Sequence, residues 1–193
     1  MQRTIWHLRR RRARGYAIVA SVALLAAGLA VFTPGVANAQ SGYEQIILAH
    51  DTGWGMYAAD GVVQNSPIAV HASWGTWVGN NAGPTNEDGV SGTGYTFEAV
   101  TTNGNELNWC LADTDENGQA QLENCQAGGT VFIPVYNDGG YYLYSRYFLN
   151  LGRKEVLAVT PPPPALSAGP AVQVIPVSQL NSNWYYRWAF SPA

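Results

Sequence analysis

The chain has 193 residues, of which 47% are hydrophobic, 12% aromatic and 12% charged, with a formal net charge of −3. That composition excludes a disordered chain, which would be richer in charge and poorer in aromatics. The 21 Gly and 11 Pro follow no period, which excludes a collagen-like or heptad protein.

In chain order, the first segment reads as an address. Residues 1–14 hold Arg3, Arg9, Arg10, Arg11, Arg12 and Arg14 and no acid. An apolar run from Gly15 to Phe32 follows, then Pro34-Gly35 and the small triplet Ala37-Asn38-Ala39. Basic start, apolar middle and A-x-A end are the three parts of a secretory signal peptide, so residues 1–39 are expected to be removed and the protein secreted. The competing reading is a retained anchor, for which the apolar run is at the lower limit of length.

Removal leaves residues 40–193 with four bases, Arg146, Arg153, Lys154 and Arg187, against all thirteen acids, a net charge of −9. A phosphate-binding surface needs clustered bases, so neither nucleic acid nor, after cleavage, membrane is an expected partner. Cys110 and Cys125 survive cleavage; in an oxidising compartment an even pair reads as a disulfide, with a buried free pair as the alternative.

Residues 40–193 are enough for one self-sufficient core. No stretch of ten or more keeps helical apolar spacing without a Gly or Pro. Short runs rich in Val, Ile, Tyr, Phe and Trp predict strands at Gln45–Leu48, Pro67–His71, Tyr95–Val100, Thr130–Val135, Tyr141–Phe148, Ala171–Val177 and Tyr185–Phe190. Trp74 to Gly94, with its many Gly and Asn, is expected to be a long loop. Thr160 to Pro170, around Pro161-Pro162-Pro163-Pro164, is expected to be a stiff polyproline-type surface loop. The fold class is all-β.

An internal repeat runs through these strands. His50-Asp51-Thr52-Gly53 leads to Tyr57-Ala58-Ala59-Asp60, Thr102-Asn103-Gly104 to Cys110-Leu111-Ala112-Asp113, and Asn150-Leu151-Gly152 to Val156-Leu157-Ala158-Val159. Alternating strands follow at Ile68-Ala69-Val70, Ala120-Gln121-Leu122 and Val172-Gln173-Val174. Closing aromatics are assigned at Tyr95-Thr96-Phe97, Thr130-Val131-Phe132 and Tyr186-Arg187-Trp188. Three units of about fifty residues predict a pseudo-threefold closure, which removes sheet edges.

The segment Phe132-Ile133-Pro134-Val135, Gly140-Tyr141-Tyr142-Leu143, Asn150-Leu151-Gly152, Val156-Leu157-Ala158-Val159, Val172-Gln173-Val174 and Trp188-Ala189-Phe190 resembles a ricin-type lectin repeat. The resemblance implies a β-trefoil and non-catalytic carbohydrate binding, and it places Cys110 and Cys125 where that family has its within-repeat disulfide. The family's sugar-binding Asp maps onto Ala59, Ala112 and Ala158, its closing Gln onto Tyr95, Thr130 and Tyr186, and its stacking aromatic onto His71, Glu123 and Ile175. All three family pockets are therefore altered.

A sugar site needs an aromatic face for C–H groups beside short polar side chains for hydroxyls. The candidates in the first unit are Asp60, His71, Trp74, Trp77, Asn80 and Asn81. The second unit offers Asp113, Asp115 and Asn124 with no local aromatic, and the third Asn183, Trp184 and Tyr185. Asp60 and Asp113 have a competing role as turn formers. Weak single pockets favour a polysaccharide or glycan-coated surface as partner.

Other chemistry lacks its parts. Asp51-Thr52-Gly53 spells an aspartic protease triplet, but that chemistry needs two copies and the chain has one, so it reads as a turn. No His-x-x-x-His or Cys-x-x-Cys motif offers a metal set. Asp113-Thr114-Asp115-Glu116-Asn117-Gly118 has calcium-type oxygens without the full loop. No cofactor, no metal and no enzymatic activity are expected. The expectation is a secreted, monomeric β-trefoil that binds carbohydrate. The alternative is a trefoil for protein recognition, such as a protease inhibitor or cell-envelope interaction protein, presenting the loops at 74–94 and 160–170.

Overall fold

The structure is a computed structural model that describes residues 43–113, 118–159 and 169–193. The predicted signal peptide, most of the polyproline loop and the centre of the acidic stretch lie outside the described residues.

Twelve strands run through them. They are β1 (Tyr43–Leu48), β2 (Gly55–Ala58), β3 (Ile68–His71), β4 (Thr76–Glu87), β5 (Val90–Val100), β6 (Glu106–Ala112), β7 (Gln121–Asn124), β8 (Val131–Tyr136), β9 (Tyr141–Ser145), β10 (Glu155–Val159), β11 (Val172–Pro176) and β12 (Trp188–Pro192). A short helix α1 (Arg146–Asn150) follows β9.

The pairing closes a ring. β1 pairs with β4, β4 with β5, β5 with β8, β8 with β9, β9 with β12, and β12 returns to β1, all antiparallel. A six-stranded barrel of this kind has no exposed edge along the ring. The other six strands form three hairpins, β2–β3, β6–β7 and β10–β11. The second strands of these hairpins meet one another: Ile68 N–H donates to Ala120 O at 2.8 Å, Ala120 N–H to Val172 O at 2.8 Å, and Val70 N–H to Pro170 O at 3.1 Å. Three four-strand units around a common axis, half barrel and half hairpin cap, are a β-trefoil.

The register repeats with the topology. Met56 faces Val70, Leu111 faces Leu122 and Leu157 faces Val174, so these three pairs are equivalent, and all six residues are fully buried. The closing aromatics are Trp77, Phe132 and Trp188, each buried to within 1%. The indole of Trp77 donates to Met56 O at 3.3 Å, and that of Trp188 to the equivalent Leu157 O at 2.9 Å. Phe132 fills the same place in the second unit without a donor to satisfy. Ile46, Phe97 and Leu143, one from the first strand of each unit, form a further buried layer.

The sequence reading departs from this in three places. Tyr95-Thr96-Phe97 does not close the first unit; it lies in β5, which opens the second. The closing residue is Trp77, so the first unit is matched two residues late: Tyr57, rather than Ala59, is the equivalent of Ala112 and Ala158. The segment Trp74 to Gly94 is not a loop. It is the β4–β5 hairpin, paired from Thr76↔Val100 to Glu87↔Val90 with a bulge at Asn81/Gly83. Its tip, Asp88-Gly89, has φ of 47° and 73°, the two positive values that a tight hairpin turn requires. Packing holds this Asn- and Gly-rich ribbon in place, since Val90 joins Ile133 and Leu149 in a second small core and Arg146 Nη1 donates to Ala82 O at 3.2 Å.

The predicted strand Tyr141–Phe148 stops at Ser145, whose Oγ accepts from Phe148 N–H at 3.3 Å and caps α1. The predicted strand from Tyr185 begins instead at Trp188, with Tyr185 making only an isolated bridge to Val159. Cys110 and Cys125 form the disulfide, spanning the β6–β7 hairpin.

Candidate functional site

The predicted site residues fall into three groups. In the first unit, Asp60 is an exposed turn residue whose backbone N–H donates to Ser66 Oγ at 3.1 Å. His71 ends β3, and its Nδ1 accepts from Ser73 N–H at 2.9 Å. Two aromatics that the sequence reading passed over pack on its ring, Tyr57 at 5.4 Å and Trp54 edge-on at 6.4 Å. Trp74 is half-buried and sits over Gly55, where a Cβ would lie 2.7 Å from Trp74 Cβ. Asn80 is exposed on β4, apart in the topology from the β2–β3 hairpin that holds the rings. This cluster is aromatic, with Trp54 edge-on and Tyr57 tilted against His71.

In the second unit the structure removes Asp113 from any surface site. It is 6% exposed and its carboxylate accepts from the Ser145 hydroxyl. Burial, together with the nearby Glu155 charge, outweighs that hydrogen bond and pushes the Asp113 carboxyl up to about 6. Neither sugar contact nor turn formation describes it; it is an internal polar tie between the second and third units. Asn124 is half-buried at the end of β7, and its Oδ1 accepts from Gln126 N–H at 3.0 Å. It therefore shapes the turn closed by the disulfide.

The third unit holds a cavity of about 220 Å³ lined by His50, Asn181, Ser182, Trp184, Tyr185, Tyr186 and Arg187. Trp184 and Tyr185 are predicted site residues and both are half-buried. Asn183 is exposed beside the cavity, and its N–H donates to Asn181 Oδ1 at 2.8 Å, an Asx-type turn that places exposed Asn181 at the cavity rim. The opposite wall comes from the β1–β2 turn through His50. Arg187 Nη1 approaches His50 Nε2 at 3.2 Å. Arginine has no acceptor, so a hydrogen bond there runs from the guanidinium to the imidazole nitrogen. The guanidinium also lies 5.5 Å from the Tyr186 ring centre, within cation–π range, and Tyr142 meets Tyr186 edge-on at 5.1 Å.

Sequence reasoning missed His50, Asn181, Ser182, Tyr186 and Arg187. The four from the β11–β12 connection flank the predicted Asn183, Trp184 and Tyr185 and were legible as neighbours. His50 was not, because only barrel closure brings the first turn of the first unit to the last turn of the third: Ala49 N–H donates to Arg187 O at 2.9 Å.

Asp51-Thr52-Gly53 is an exposed turn, with Asp51 Oδ1 accepting from Gly53 N–H at 3.3 Å. Among the described residues no group of three His, Cys, Asp or Glu is placed to hold a metal ion.

No protein-family model matches the chain, and no curated protein matches it by sequence. Solved structures do. The chain is similar to a designed 3-fold symmetric protein, ThreeFoil, with a TM-score of 0.54 and 14% identity over 79% of this chain and 99% of that one. It is also similar to part of a mosquitocidal holotoxin, with a TM-score of 0.50 and 13% identity over 79% of this chain and 16% of that one. At such identities the likeness extends to the fold: the chain is a β-trefoil.

Proposed function

We propose that the protein is a secreted, non-catalytic carbohydrate-binding module whose binding site is the third-unit cavity. One observation carries this reading. Trp184, Tyr185 and Tyr186 border a cavity that also presents Asn181, Ser182, His50 and Arg187, and aromatic faces beside short polar groups suit a pyranose ring. The cavity is smaller than the roughly 300–1,000 Å³ of drug-sized sites, which suits one residue of a longer chain. The resemblance to ricin-type repeats supports the class of ligand. The site is not the family's own: the positions of its ligand-binding Asp hold Tyr57, Ala112 and Ala158 here, and the closing Gln positions hold Gly75, Thr130 and Tyr186.

A glycan array and an insoluble-polysaccharide pull-down test the proposal. The wild-type protein is expected to bind, Trp184→Ala to lose about tenfold or more in affinity (1.4 kcal/mol or more), and Trp74→Ala to change little. Retention of full binding by Trp184→Ala would refute the site.

A further inference from the structure

We infer that the third-unit cavity selects acidic sugars and holds their carboxylate on Arg187. The inference rests on the carbohydrate reading above and names the ligand class of that same site.

The donor and acceptor content of the lining carries it. A site for neutral sugars needs acceptors as well as donors, because each hydroxyl donates one proton. Here no Asp or Glu lines the cavity. The Asn181 side chain is already engaged at both ends, with Oδ1 accepting from Asn183 N–H and Nδ2 donating to Gln179 O at 3.3 Å. His50 Nε2 accepts from Arg187. What remains holds two donor-only groups, the Trp184 indole N–H and the guanidinium, beside the hydroxyls of Tyr185, Tyr186 and Ser182, which both donate and accept, and no group that only accepts. A donor-rich wall behind aromatic faces fits a ring that carries a carboxylate.

Arg187 is also the base best placed to receive one. Of the four bases after residue 39, Arg153 meets the buried Glu155 at 2.5 Å, Lys154 meets Asp88 at 3.8 Å, and Arg146 is spent on a backbone carbonyl. Arg187 has Asp138 at 3.6 Å, but that carboxylate is 89% exposed while Arg187 is 23% exposed. A pair so wetted is worth little, and a ligand carboxylate in the cavity can replace it. General charge attraction would not produce this selectivity, because residues 40–193 are net acidic and repel anions at long range.

The test is an array of uronate- and sialate-terminated glycans beside their carboxyl-reduced counterparts, followed by calorimetry of the best ligand on the full-length protein, Arg187→Gln and Arg187→Lys. A glutamate trimer serves as a sugar-free carboxylate. The expected result is at least tenfold tighter binding of the acid than of its reduced form. Arg187→Gln should abolish that ratio by lowering the affinity for the acid at least tenfold more than the affinity for the reduced form, and Arg187→Lys should restore only part of it. Unchanged melting temperatures would show that the variants remain folded. Equal binding of acid and reduced glycans overturns the inference while the carbohydrate reading stands; absence of binding to every glycan overturns both. Equal affinity for the glutamate trimer, or an acid preference that survives in Arg187→Gln, also refutes it.

Discussion

Asp113 shows how one residue can sit in the trefoil at the cost of a charge. Its equivalents in the other two units are Ala58 and Val159, and the partner that bonds it, Ser145, stands where the barrel elsewhere has Leu48 and Ala99. A carboxyl and a hydroxyl have replaced apolar side chains inside the second and third units. Because the folded state raises the Asp113 pKa from 3.8 to about 6, folding favours its protonated form. The stability that this group contributes is full below pH 3.8 and is lost as pH rises through 6. A shift of that size corresponds to about 3 kcal/mol. Asp113→Asn is therefore expected to melt higher than wild type at pH 7 and to flatten the stability curve between pH 4 and 6, as measured by denaturant unfolding at each pH. An unchanged slope would contradict the assignment. No sequence signal marks this residue as internal, since Asp beside a turn reads as a surface group until the fold shows what lies over it.

At the scale of elements, alternation is legible and register is not. The strands β1, β3, β8 and β11 lie within a residue or two of the expected spans, because each carries β-branched or aromatic residues between clear turn signals. The first unit's β2 was matched two residues late. A two-residue slip keeps every side chain on the same face, so the in–out pattern cannot detect it. The closing Trp77 would have corrected the match, but the Gly- and Asn-rich run of β4 looks like a loop and hides it. With the register set by the structure, Gly55 occupies the place of Cys110 and Val156. It is a glycine because Trp74 covers it and Ile46 O lies 3.1 Å from any Cβ. Gly55→Val is expected to displace Trp74, cost about 1–3 kcal/mol by overpacking, and shift Trp fluorescence to the red. Stability equal to wild type would show that the Trp74 lid is loose.

For the whole molecule, the threefold echo in sequence is the feature that reached furthest. It anticipated three units closing on buried aromatics, and the ring of pairings with its cyclic hairpin cap is that closure. It could not anticipate the third-unit cavity, which joins residues at opposite ends of the domain: His50 before β2 and Trp184 to Arg187 before β12. Closure of β1 on β12 is what builds the cavity, so fold and candidate site share one cause. The most direct test of the account is amide and indole chemical-shift mapping of the labelled protein titrated with its best-binding glycan. The account predicts that the largest shifts fall on His50, Asn181, Ser182, Arg187 and the Trp184 indole, with the β4–β5 tip at Asp88 unmoved. Shifts centred on Trp74 or the hairpin tip, with Trp184 silent, would contradict it.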